Sequence, residues 1–175
     1  MVEQFFSIDY AGRSDLFEHL AIWKEEKYRE LQGTYPVISL SFARIKERDY
    51  EKTKQKMCEV LRNIYIKFCY IKDSEKLTDA DRAYYERMLE ENIKETDATS
   101  SLYQLSDFLY RYYGKKVIIL LDEYDTPMQE AFVDGYWDEL VAFTRSLFNS
   151  TFKTNPALER GICLLYTSDA ADDGE

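Results

Sequence analysis

Histidine is nearly missing from this chain: His19 is the only one. That leaves little room for a histidine-based metal site or for a triad that needs a histidine base. His19 itself reads as a partly exposed helix residue. The three cysteines form no Cys-x-x-Cys pair and no disulfide framework. Cys58 and Cys69 fall in a helical segment and read as small core residues. No window nears the roughly 18 apolar residues that a bilayer span needs, and Met1 is not followed by a signal-peptide pattern. We therefore expect no membrane partner and a cytoplasmic location. A basic excess is missing too. The formal net charge is −10, against the basic face that a broad nucleic-acid footprint requires. What is plentiful is apolar residues, 45% of 175, enough to bury one core.

The apolar residues are ordered. Val2, Phe5 and Phe6 have the spacing of the end of a helix. Residues 15–30 predict a short helical region with Leu16, Phe17, Leu20 and Trp23 on one side. Residues 36–42, PVISLSF, read as a strand with Pro36 at its start, where the missing N–H costs least. Residues 49–71 predict a long helix, with Met57, Val60, Leu61, Ile64 and Phe68 as its stripe. Thr78 and Asp81 have capping-box spacing and open a helix with Tyr84 and Met88 inward. ETDATS, 95–100, reads as a polar break. A helix with Leu102, Leu105, Phe108, Leu109 and Tyr112 inward follows and stops at Gly114. The 15 tyrosines are expected on helix edges, rings packed and hydroxyls wet.

Residues 117–125, VIILLDEYD, raise the central question. Near-continuous apolar character marks a strand buried on both faces, yet it ends in Asp122, Glu123 and Asp125. Thr126-Pro127-Met128-Gln129 then has the form of a capping box. An amphipathic helix follows through Trp137, Leu140, Val141, Thr144, Leu147 and Phe148, and ALERGI, 157–162, begins another strand. Strands alternating with helices give an α/β fold with a parallel sheet flanked by helices, and a long helical insert between two strands. In such sheets ligands bind outside the carboxyl ends of the strands. Side chains alternate along a strand, so Asp122 and Glu123 have different directions and different tasks. An aspartate there suits a hydrated magnesium ion, which takes one or two carboxylates beside phosphate oxygens. A neighbouring glutamate suits the orientation or deprotonation of an attacking water. Asp125, or Thr126, reads as a helix N-cap.

GKKVIILLDEYDTPMQEAF, GYWDELVAFTRSLFNSTFKTN and ALERGI resemble the predicted AAA-ATPase-like family, as do YPVISLSF and SDLFEHLAIWKE. The resemblance covers nearly all of residues 1–162, which we take as a partial domain. It implies a phosphate-loop NTPase core with an incomplete sheet here, ATP and Mg2+ as cofactors of the intact domain, Asp122 as metal residue and Glu123 as catalytic residue. It also implies that PVISLSF lies beside the strand carrying Asp122. By the family's pattern a Gly-Lys-Ser/Thr phosphate loop comes before the helix ending at Phe6. The sequence contains none, and AGRSD, 11–15, is no substitute, so this chain alone is expected to be inactive. With the loop's strand missing from the middle of the sheet, apolar strand edges are expected to be exposed. A nuclease-like domain, the expected route to nucleic acid, would lie beyond Ile162. Residues 163–175, CLLYTSDAADDGE, resemble an in-frame translation of a transposon-type sequencing adapter and are set apart as foreign.

Two other function classes fit parts of the sequence. One is a metal-dependent nuclease with Asp122, Glu123 and Asp125 on the metal. Against it, the Glu-x-Lys spacing such a site wants on a neighbouring strand occurs here only in helical or turn segments. The other is a nucleotide switch or interaction module, with the tyrosine-rich helices of the insert, 78–113, facing a protein partner.

Overall fold

The computed structural model describes residues 1–164. Its chain order is α1 (Val2–Phe6), α2 (Glu26–Arg29), β1 (Val37–Ser41), α3 (Tyr50–Lys67), α4 (Asp79–Leu89), α5 (Glu95–Tyr113), β2 (Val117–Asp122), α6 (Thr126–Asp134), α7 (Trp137–Phe152) and β3 (Leu158–Leu164). The three strands make one parallel sheet in the order β1-β2-β3. Each strand therefore steps to the same side of the one before. Because parallel crossovers are right-handed, a sheet that grows one way puts its crossover helices on one face. That face carries the main core. Ile38 and Leu40 of β1 and Val117, Ile119 and Leu121 of β2 meet the helices from α3 to α7 there. The opposite face is smaller. Val37, Ile118 and Leu120 pack against Val2 and Phe6 of α1, Tyr35 and Ile162.

β2 is buried along its whole apolar length, as its composition predicts, and β1 is its neighbour. β3 is an edge among the described residues, and its side chains are exposed or half-buried. The strand continues through Cys163 and Leu164, the first two residues of the segment set apart above, and Asp122 is in register with Leu164. Gly161 of β3 lies under the Phe152 ring of α7. A Cβ there would stand 2.6 Å from that ring, so glycine permits the close approach.

Several helical expectations change. Residues 15–30 are two tight 3-10 turns and the one-turn α2 rather than one helix. The long helix ends at Lys67, and Cys69–Ile71 is a 3-10 turn that leaves Cys69 exposed. Cys58 is buried, and burial pushes its thiol up to about 11. ETDATS is no break but the first turns of α5. It has neither glycine nor proline, and its Ala98 is buried in line with Leu102 and Leu105. The Thr99 and Ser100 hydroxyls donate back to carbonyls one turn earlier, so polar composition here does not interrupt the helix. Trp137 faces solvent and Tyr136 takes the buried place beside it.

Tyrosine has a second role that edge packing does not describe. Tyr65 and Tyr85 are fully buried. The Tyr65 hydroxyl donates to the Ser101 carbonyl at 2.7 Å, and Tyr85 donates to the Tyr65 carbonyl at 2.7 Å. A buried ring is stable only when its hydroxyl is paired, and helix carbonyls serve here. α5 thus belongs to the core rather than to a peripheral insert. α4 is the outer layer, with its Thr78–Asp81 capping box formed as expected and its Arg87 paired with Asp97 of α5 at 2.9 Å.

Phe108→Ala is expected to cost about 3–5 kcal/mol, as for other buried aromatics. Phe132→Ala, at a residue 76% exposed, should cost under about 0.5 kcal/mol. Urea unfolding of the two variants measures the contrast. The Arg87 guanidinium also holds the Asp97 carboxyl below its ordinary range. A lowered folded-state pKa gives stability that is present above the unfolded value of about 3.9 and lost as pH falls through the folded one. Asp97→Asn should therefore lower stability at neutral pH and flatten its decline below about pH 4, read from urea midpoints across that range.

Candidate active site

The strand register brings three chain segments to one rim. Asp122, at the C-terminal end of β2, pairs in register with Ser41 of β1 and Leu164 of β3. Its backbone carbonyl accepts from the Phe42 N–H at 3.1 Å. Ile118, Leu120 and Asp122 alternate onto the smaller face of the sheet. The two apolar residues are buried there and Asp122 is exposed. A cavity of about 510 Å³ opens on the same face, lined in part by Phe6, Tyr35, Ile118 and Ile162. The carboxylate predicted as a metal residue is thus held at the sheet rim by a rigid strand and open to solvent.

Glu123 is placed differently. Its N–H still donates across to the Leu164 carbonyl at 3.1 Å. Its backbone then turns left-handed, at φ +48°, the one non-glycine residue with positive φ among those described. For an L-residue this conformation costs about 1–2 kcal/mol. The turn ends β2 and swings the half-buried Glu123 out of the strand's alternation. The Thr126 hydroxyl donates to Glu123 Oε2 at 3.5 Å, at the long limit of a hydrogen bond. Tyr124 packs edge-on against Phe148 of α7 at 6.3 Å and fixes the turn from below.

The expected capping box at 126–129 does not form. Asp125 occupies the N-cap position but makes no side-chain bond to the helix N-terminus. Its carboxylate accepts from the Gln129 amide at 2.8 Å. Thr126 is the first helical residue, with its hydroxyl turned to Glu123 instead of to a backbone N–H. The αR backbone of Asp125 explains this, since caps need an extended residue. Among the described residues no three His, Cys, Asp or Glu side chains converge as a metal site. The three-carboxylate arrangement of the nuclease reading is therefore not formed.

A family model described as "Predicted AAA-ATPase" matches residues 1–165. The chain belongs to this AAA-ATPase-like family. No curated protein and no solved structure matches it. For an AAA-ATPase-like chain the group to test here is magnesium, and Asp122 offers it one exposed, hard carboxylate oxygen donor. Among the described residues no helix is long and apolar enough to cross a membrane.

The register places Ser41 beside Asp122. The alternation in SLSF is the sequence signal for it, because Ser39 and Ser41 share one face of β1. The positive φ at Glu123 has no such signal, since no residue type announces it.

Glycine has no Cβ to strain at φ +48°, though it adds about 0.5–1 kcal/mol of unfolded-chain entropy. Glu123→Gly is therefore expected to leave stability unchanged or raise it by up to about 1 kcal/mol. Asp122→Gly, in extended backbone, should lower it. Thermal midpoints of the two variants give the comparison.

Proposed function

We propose that this chain carries the metal- and water-handling part of an ATP-hydrolysing site. Asp122 would hold a hydrated Mg2+ ion, and Glu123 would orient the attacking water and take its proton. The observation that carries the reading is the exposed Asp122 at the rim of a fully buried central strand, followed at once by a glutamate in strained backbone. Backbone strain of this kind clusters at active sites, where the surrounding structure maintains it. Asp122 would be the residue that holds the ion, whose chemistry there would be neutralisation of phosphate charge. Asp122 sits on the strand and keeps one position. Glu123 stands on the turn, displaced from Asp122, which suits a base acting on a water one shell further out. Thr126 steadies the Glu123 carboxylate.

Most phosphate contacts in such sites come from a glycine-rich loop's N–H groups and its lysine. The 175 residues contain no Gly-Lys-Ser/Thr sequence. Our reading is therefore that they supply the acids and not the phosphate cradle, and that by themselves they neither bind ATP tightly nor hydrolyse it.

Titration of the 175-residue chain with fluorescent ATP should show no saturable magnesium-dependent binding at micromolar protein. Saturation would overturn the need for a separate cradle. In the protein that carries these residues together with a Gly-Lys-Ser/Thr loop, Glu123→Gln should lower ATP turnover by about 10²–10⁴ with nucleotide affinity kept. Asp122→Ala should remove the magnesium dependence of binding. Turnover unchanged in Glu123→Gln would sink the assignment.

A further inference from the structure

From residue 117 to residue 144 the chain has seven carboxylates and not one lysine or arginine. In the middle of this stretch the corner between α6 and α7 turns large apolar side chains outward. Phe132 is 76% exposed, Val133 79% and Trp137 43%, with the Phe132 and Trp137 rings in edge contact at 6.1 Å. Three such residues within six positions make a patch, which solitary exposed residues do not. Glu130, Asp134, Asp138 and Glu139 border it, and none of them is in an ion pair among the described residues.

Opposite charge stands next to it. The loop from β1 to α3 is anchored by buried Phe42 and Ile45 and holds Arg44, Lys46 and Arg48 exposed. These three also lack an ion pair among the described residues, whereas Lys52, Lys54 and Lys56 of α3 are paired with Asp49, Glu51 and Glu59. The one acid within the triplet, Glu47, is half-buried and likewise in no ion pair among the described residues, so the loop keeps a positive balance. Loop and corner are tied together. The Tyr136 hydroxyl, from the corner, bonds the Glu47 carbonyl and lies 3.0 Å from the Thr53 hydroxyl.

We propose that this face binds a second copy of the same chain across a two-fold axis. A two-fold interface sets residue i against j and j against i. A cationic loop beside an anionic corner meets that condition: each loop faces the other copy's corner, and the aromatic patch supplies the dry centre. Within one copy, no ion pair joins loop and corner among the described residues. The net charge of −10 opposes association at long range. At physiological ionic strength the Debye length is about 8 Å, so contact pairs survive while whole-molecule repulsion is screened. This surface is independent of the chemistry proposed for Asp122 and Glu123.

Sedimentation equilibrium of the 175-residue chain at physiological salt should show a monomer–dimer equilibrium in the micromolar range. Phe132→Asp should abolish it. The loop variant Arg44→Glu/Arg48→Glu and the corner variant Asp134→Lys/Glu139→Lys should each weaken self-association at least about a hundredfold, since each sets like charges together. Mixed one to one, they should form a heterodimer, because both contacts are then complementary. All substituted residues are exposed, and circular dichroism checks that each variant is folded. A wild-type chain that stays monomeric at high micromolar concentration overturns the proposal. So does a mixture that gives no heterodimer. Association that survives Phe132→Asp also overturns it, since self-association would then run through another surface, such as the open edge of β3.

Discussion

Burial of β2 on both faces is the constraint from which the rest of this structure follows. An apolar strand in that position needs a neighbour on each side and cover above and below. β1 and β3 supply the neighbours through parallel ladders. The α3-to-α7 layer covers one face and the α1 segment covers the other. The strand has no freedom to shift, because a slip of one residue would exchange its two buried faces. Its first polar residue is therefore fixed in space as firmly as its core residues are. That makes the end of β2 a good place for chemistry: Asp122 inherits the rigidity of the core without being inside it.

The residue after it has the opposite character. Glu123 leaves the strand through a left-handed turn, with a bond to the Leu164 carbonyl behind it and the Thr126 hydroxyl ahead. Local preference does not choose this backbone for a glutamate. The ladder on one side and α6 on the other impose it, with Tyr124 seated on Phe148. Two acids adjacent in sequence thus have different mechanical support, one from a sheet and one from a turn. Under the function proposed above, that difference would separate a residue that holds an ion from one that addresses a water.

Much of this was legible in the residues. The continuous apolar run announced a doubly buried strand, and the step from Leu121 to Asp122 announced where it ends. The stripe from Met57 to Phe68 marked α3, and Thr78 with Asp81 marked the start of α4. The failures have physical causes. ETDATS looked like a break because its residues are polar, but nothing in it blocks helix, Ala98 is buried in the core, and α7 holds the next residue through the Ser150 hydroxyl, which donates to the Thr99 carbonyl. Thr126 looked like a cap because of its spacing to Gln129, yet the left-handed Glu123 rotates the chain so that Asp125 stands at the N-cap in helical backbone. Trp137 looked like core because it lies on the α7 stripe. The sharp turn at Gly135, φ +84°, places Tyr136 inward in its stead.

By itself the sequence determined the α/β class, the family and the pair of acids closing the central strand. These are properties of local pattern, where burial period and residue type decide the outcome. Only the tertiary structure decided that Ser41 and Leu164 flank Asp122, that Glu123 takes strained backbone, and that a cationic loop lies against an anionic, aromatic corner. Each joins residues far apart in the chain through strand register and crossover handedness, and neither of those is written in any single stretch of residues.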